Sequence, residues 1–170
     1  MHIPQTGLSK QEILSTLQAF KARDMDWKNG KVWCYVYDAG EDPAEVTKEA
    51  YLSFLSENGL DPSVFPSILK LETDVARMVI NLLRGDPNTV GHLTSGGTES
   101  IMLAVKSARD KARVEKPRVT HPEMILPKNA HAAFHKAAHY LCVKPVVVDL
   151  VPASSTLRAS DGESAINDNT

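Results

Sequence analysis

Apolar residues recur at two different periods along this chain, and the change of period divides it. Up to about residue 84 the spacing is helical. Ile13, Leu14, Leu17 and Phe20 follow Ser9-Lys10-Gln11-Glu12, a capping box in which each side chain satisfies the other residue's backbone N–H. Asp42-Pro43-Ala44-Glu45 predicts a second helix start, with aspartate as N-cap, proline at the first helical position and glutamate at the third. That helix is expected to end near Asn58-Gly59. Between the two, Val32-Trp33-Cys34-Tyr35-Val36-Tyr37 is aromatic and β-branched, and it reads as a short strand or an extended arm. Ile68, Leu71, Val75, Met78, Val79 and Leu82 mark one face of a third helix, which Arg84-Gly85-Asp86-Pro87 stops.

Beyond this point strand and helix signals alternate. Residues 90–94 read as a strand, 98–113 as a helix, 124–127 as a strand, 131–141 as a helix and 145–150 as a buried strand. The last twenty residues are polar, and Ser160-Asp161-Gly162-Glu163 predicts one more short helix. The alternation argues for an α/β fold with a mainly parallel sheet and flanking helices. A helical N-terminal arm over residues 1–62 would precede it, and residues 63–170 would hold the sheet. Three readable strands are few for an open α/β sheet. The chain is therefore expected to be incomplete or to need a partner.

Composition narrows the function classes. The chain has 170 residues, 42% of them hydrophobic, and a formal net charge of −2. No clustered basic face marks a nucleic-acid partner. No apolar run is long enough to span a bilayer. The N-terminus lacks the basic and apolar regions of a signal peptide. Cys34 and Cys142 are too few and too far apart for a disulfide framework or a metal set, and read as buried thiols in a reducing cytoplasm.

Candidate chemistry concentrates in two strand-end loops. Thr94-Ser95-Gly96-Gly97-Thr98-Glu99-Ser100 lies between a predicted strand and a predicted helix. Two glycines let the backbone turn and approach a ligand closely. Free N–H groups and the positive end of the helix dipole favour an anion such as a phosphate. Ser95, Thr98 and Ser100 add hydroxyls. Neither G-x-x-x-x-G-K-[ST] nor G-x-G-x-x-G is present, and a glycine turn with a helix cap fits the same residues. His131 lies at the carboxyl end of the next strand, where open α/β sheets hold ligands. Its imidazole suits stacking, hydrogen bonding or proton transfer, and an ordinary helix-start residue is the alternative. His131, His135 and His139 share a helix face, a spacing open to zinc, but no H-E-x-x-H or nearby carboxylate completes a site. No metal is expected. Lys136 sits one turn inside the helix and reads as a solvated side chain.

Taken together, Thr94-Ser95-Gly96-Gly97-Thr98-Glu99-Ser100-Ile101 and Ala130-His131-Ala132-Ala133-Phe134-His135-Lys136-Ala137-Ala138 resemble the sphingosine-1-phosphate lyases. These belong to the pyridoxal-phosphate-dependent group II decarboxylases, of fold type I. The resemblance runs from about Tyr37 through Asn58, Val64-Phe65-Pro66 and Glu72 to about Leu150. It implies pyridoxal 5′-phosphate as cofactor, with Gly97 and Thr98 holding its phosphate and His131 stacking on its ring. It implies that Tyr37 and Asn58 reach an amine or amino-acid-like substrate. It also implies a homodimer with shared active sites, so that both residues serve the partner subunit.

Two departures qualify the resemblance. The family carries histidine where this chain has Asp61, and a carboxylate repels the phosphate that a histidine would bind. An amine or amino acid with a different head group is therefore expected. The family's Schiff-base lysine, in a D-x-H-K-type segment, has no counterpart here, so the chain holds no catalytic residue and is expected to be inactive alone. The expectation is the N-terminal portion of a lyase or decarboxylase. A non-catalytic phosphate-ligand binding or assembly protein is the alternative.

Overall fold

The computed structural model describes Ile3 and residues 5–170. Two compact units are present, Met1–Asp61 and Pro62–Thr170.

In the first unit, α1 (Lys10–Lys21) starts where the capping box predicts. The Ser9 N–H donates to Glu12 Oε2 at 2.8 Å, and the Glu12 N–H returns to Ser9 Oγ at 3.3 Å. A short 3-10 turn covers Trp27–Asn29. Residues 31–40 form bends and no strand, so of the two readings of residues 32–37 the strand fails. The second helix, α2 (Glu41–Ser53), departs from expectation at both ends. Its N-cap is Gly40, not Asp42. At φ +98° glycine turns the chain two residues early, and the Gly40 N–H is held by Asp38 Oδ1 at 3.1 Å. Pro43 still fits, because first-turn N–H groups have no intrahelical partner. The helix stops at Phe54, short of Asn58-Gly59.

In the second unit, α3 (Pro66–Leu82) opens on a proline and α4 (Gly97–Glu115) follows the glycine loop. Then come β1 (Glu123–Pro127), α5 (Ala132–Leu141), β2 (Lys144–Val148) and α6 (Ala159–Ser164). β1 and β2 pair in parallel, with Glu123 opposite Lys144 and Pro127 opposite Val148. Parallel neighbours require a crossover, and α5 supplies it. Val105 of α4, Ala137 of α5 and Val143 form the core, with Met102, Met124, Phe134 and Leu141 packed against them.

Three expectations fail here, for related reasons. Residues 90–94 form no strand, since no described residue supplies a ladder for them. The sheet among the described residues therefore has two strands, not three. β2 is half-exposed instead of buried, because a parallel strand is buried only when both sheet faces are covered. The thiols differ from expectation too: Cys142 is exposed as the left-handed C-cap of α5, and Cys34 is half-buried. Among the described residues no helix is long and apolar enough to cross a membrane.

Candidate functional site

The 94–100 loop opens α4 with Gly96 as N-cap and Gly97 as the first helical residue. Its internal bonds are dense. Glu99 Oε2 accepts the Ser95 N–H at 2.7 Å and the Ser95 hydroxyl at 2.6 Å. Thr94 Oγ1 lies 2.6 Å from Ser100 Oγ. The Gly96 carbonyl accepts from the Thr94 hydroxyl at 3.1 Å, the Ser100 hydroxyl at 3.3 Å and the Ser100 N–H at 3.1 Å. Ser95 and Ser100 thus spend their hydroxyls inside the loop, contrary to their reading as ligand donors. The Gly97 and Thr98 N–H groups and the Thr98 hydroxyl take no partner among the described residues. Such a first turn suits an anion. A Cβ built on Gly97 meets nothing within 4 Å, so no neighbour in the chain demands glycine there. The bare position leaves room for a ligand to approach the backbone.

His131 is the N-cap of α5. Its Nδ1 accepts the Ala133 N–H at 3.1 Å. That bond needs an unprotonated Nδ1, so the neutral ring carries its hydrogen on Nε2. The ring is exposed. The two helices run parallel. Arg109 Nη1 donates to the Leu141 carbonyl at 3.1 Å near their C-terminal ends, and Met102 and Phe134, near their N-terminal ends, pack on the same cluster. Gly97, Thr98 and His131 therefore share one end of the helix pair.

The other expected residues lie in the first unit. Tyr37 projects a fully exposed side chain. Tyr35, two residues before, holds φ +68°, a conformation that bulky residues rarely take. Asn58 Oδ1 accepts the Leu60 N–H at 3.1 Å, which shapes the turn before Asp61. Lys136 lies 5.6 Å from the Tyr140 ring centre on the exposed side of α5. No group of three or more histidine, cysteine or carboxylate residues gathers for a metal among the described residues.

Sequence reasoning missed Glu99. Its carboxylate is held below the ordinary range by the Ser95 hydroxyl and then the Ser95 N–H. The signal was present as a serine four residues before a first-turn glutamate, one residue longer than a capping box. A cavity of about 520 Å³ opens between α4 and β1, lined by Ala104, Ala108, Ala112, Met124 and Val143. None of the three predicted ligand-holding residues lines it, and its apolar wall offers little to a phosphate.

No family model matches the chain. Sphingosine-1-phosphate lyase 1 of Rattus norvegicus is 43% identical over 146 residues, which cover 86% of this chain and 25% of the relative. A probable L-aspartate decarboxylase of Pyrococcus furiosus is 35% identical over 170 residues, covering 100% of this chain and 43% of the relative. Among solved structures, a sphingosine-1-phosphate lyase of Burkholderia pseudomallei superposes with a TM-score of 0.87 at 30% identity, covering 99% of this chain and 40% of that one. The chain thus spans between 25% and 43% of the length of these relatives. The parallel β1–α5–β2 unit and these likenesses agree. The chain is similar to the sphingosine-1-phosphate lyases and L-aspartate decarboxylases among the pyridoxal-phosphate-dependent group II decarboxylases, and its fold matches the N-terminal part of fold type I enzymes.

Proposed function

We propose that the protein carrying this chain is a pyridoxal-phosphate-dependent carbon–carbon lyase or decarboxylase acting on an amine or amino-acid-like substrate. The observation that carries the reading is the first turn of α4. Unpartnered N–H groups at Gly97 and Thr98, the Thr98 hydroxyl and open space beside Gly97 fit a phosphate, and His131 stands at the same end of the helix pair. When bound, the cofactor supplies an electron sink for breaking a bond at the substrate's Cα. Gly97 and Thr98 hold the phosphate. His131 offers a ring face for stacking, and its Nε2–H remains available as a donor.

Tyr37 and Asn58 contact the substrate in this proposal, from an arm that serves a second copy in a homodimer. The full exposure of Trp33, Tyr35 and Tyr37 supports a covering partner for that arm, since so much aromatic surface is costly to leave in water. Asp61 argues against a phosphorylated head group. The likeness to an aspartate decarboxylase, beside that to the lyases, is compatible with an amino acid. The protein acts in the cytoplasm. The 170 residues alone are inactive, because they contain no D-x-H-K-type lysine segment.

The test uses the native protein purified from its source. It should have an intact mass well above that of 170 residues and bind pyridoxal 5′-phosphate. Loaded protein should release carbon dioxide from an acidic amino acid. Cleavage of sphingosine phosphate instead would overturn the reading of Asp61. Cofactor binding with neither reaction would favour the non-catalytic alternative.

A further inference from the structure

We infer that Glu99 is a positioning residue whose carboxylate holds the 94–97 loop so that the first N–H groups of α4 face an incoming phosphate. The inference rests on the proposed role of Gly97 and Thr98 as phosphate holders. At first sight Glu99 is misplaced, since a carboxylate in the first turn of an anion site repels its ligand. The hydrogen bonds resolve the conflict. Both bonds from Ser95 end on one oxygen, Glu99 Oε2, at 2.6 and 2.7 Å, so the charge is tied back to the residue before the N-cap. Bonds to an ionised acceptor are stronger than neutral ones, which makes this the firmest fastening in the loop.

Donor and acceptor accounting points the same way. The Gly96 carbonyl already takes three donors from Thr94 and Ser100. The Ser95 N–H, which would otherwise be a stray donor upstream, is consumed by Glu99. Among the described residues the N–H groups of Gly96, Gly97, Thr98 and Glu99 and the Thr98 hydroxyl remain uncommitted. The loop keeps a run of backbone donors at the start of α4, and Glu99 fixes its upstream half.

The experiment uses the full-length protein and compares affinity for pyridoxal 5′-phosphate with affinity for pyridoxal, which lacks the phosphate. In wild type the phosphorylated form should bind more tightly. Glu99→Ala should cut that preference by about tenfold or more and leave pyridoxal affinity unchanged, a selectivity that general loss of structure would not produce. Glu99→Gln, which keeps an acceptor oxygen, should recover much of the preference. Equal or tighter phosphate-form binding in Glu99→Ala would overturn the inference, since the charge would then act only as a repulsion. If Glu99→Ala does not fold, Ser95→Ala serves, with a several-fold loss of preference expected. An unchanged preference in Ser95→Ala would also overturn the inference. Wild-type protein that binds both aldehydes equally would sink the phosphate reading of Gly97 and Thr98, and this inference with it.

Discussion

Glu123 and Lys144 face each other across the first rung of the parallel β1–β2 pair, with Lys144 Nζ 2.8 Å from Glu123 Oε1. The other oxygen, Oε2, accepts from Asn167 Nδ2 at 2.8 Å. One carboxylate therefore joins the two strands and ties both to the segment after α6.

These contacts hold Glu123 below its ordinary value of 4.5, Asn167 contributing most and Lys144 next. A depressed carboxylate stabilises the fold above its unfolded-state value, and the contribution is lost as pH falls through the lower folded value. Stability should therefore decline below about pH 4.5. Glu123→Gln should be less stable at neutral pH and show a shallower acid decline in urea titrations at a series of pH values.

The Arg109 side chain is only 13% exposed. It bonds the Leu141 carbonyl at the end of α5 while pairing with Asp110. Arg109→Ala removes a charged donor from a carbonyl at a helix end and should cost about 1–3 kcal/mol of unfolding free energy. Lysine should not restore this, because it lacks the fork that reaches carbonyl and carboxylate together. Chemical denaturation of both variants would check it.

Gly97→Ala separates folding from binding. Nothing lies within 4 Å of the added methyl. Thermal stability should be unchanged or raised, by at most about 1 kcal/mol. Affinity for pyridoxal 5′-phosphate should nonetheless fall by about tenfold or more, a loss of at least about 1.4 kcal/mol. Equal affinity in calorimetry would remove Gly97 from the site.

His131 carries two separable roles. As N-cap it accepts the Ala133 N–H, so His131→Ala should cost about 1 kcal/mol of stability as well as cofactor affinity. His131→Asn should restore the cap but not the ring. Melting temperatures near wild type, with cofactor binding still weakened, are expected for the asparagine variant.

Local chemistry carried the parts of the fold that were legible in the sequence. Ser9 and Glu12 cap α1 because both partners lie within four residues of each other. The apolar stripe of α3 and the glycine loop before α4 are likewise self-announcing. Residues 90–94 misled because a strand exists only through its neighbours, and their alternation names no partner. Asp42 misled because Gly40 took the chain into the helix first, using a backbone freedom that cap preferences do not weigh. At the site, residue types pointed to the 94–100 loop and His131, and only the resemblance singled out Gly97 and Thr98. Residue types could not tell which hydroxyls the loop would keep for itself, since that depends on where Glu99 and the Gly96 carbonyl point.

Ala137 is completely buried where α5 meets α4, and Ala133 and Ala138 are nearly so. A valine at Ala137 would force apart two close-packed surfaces, at a cost of about 1–3 kcal/mol. His131 caps the same helix, so a displaced α5 would carry the imidazole with it. A change at this buried methyl, remote in sequence from the glycine loop, would then register twice, as lost stability and as a displaced His131.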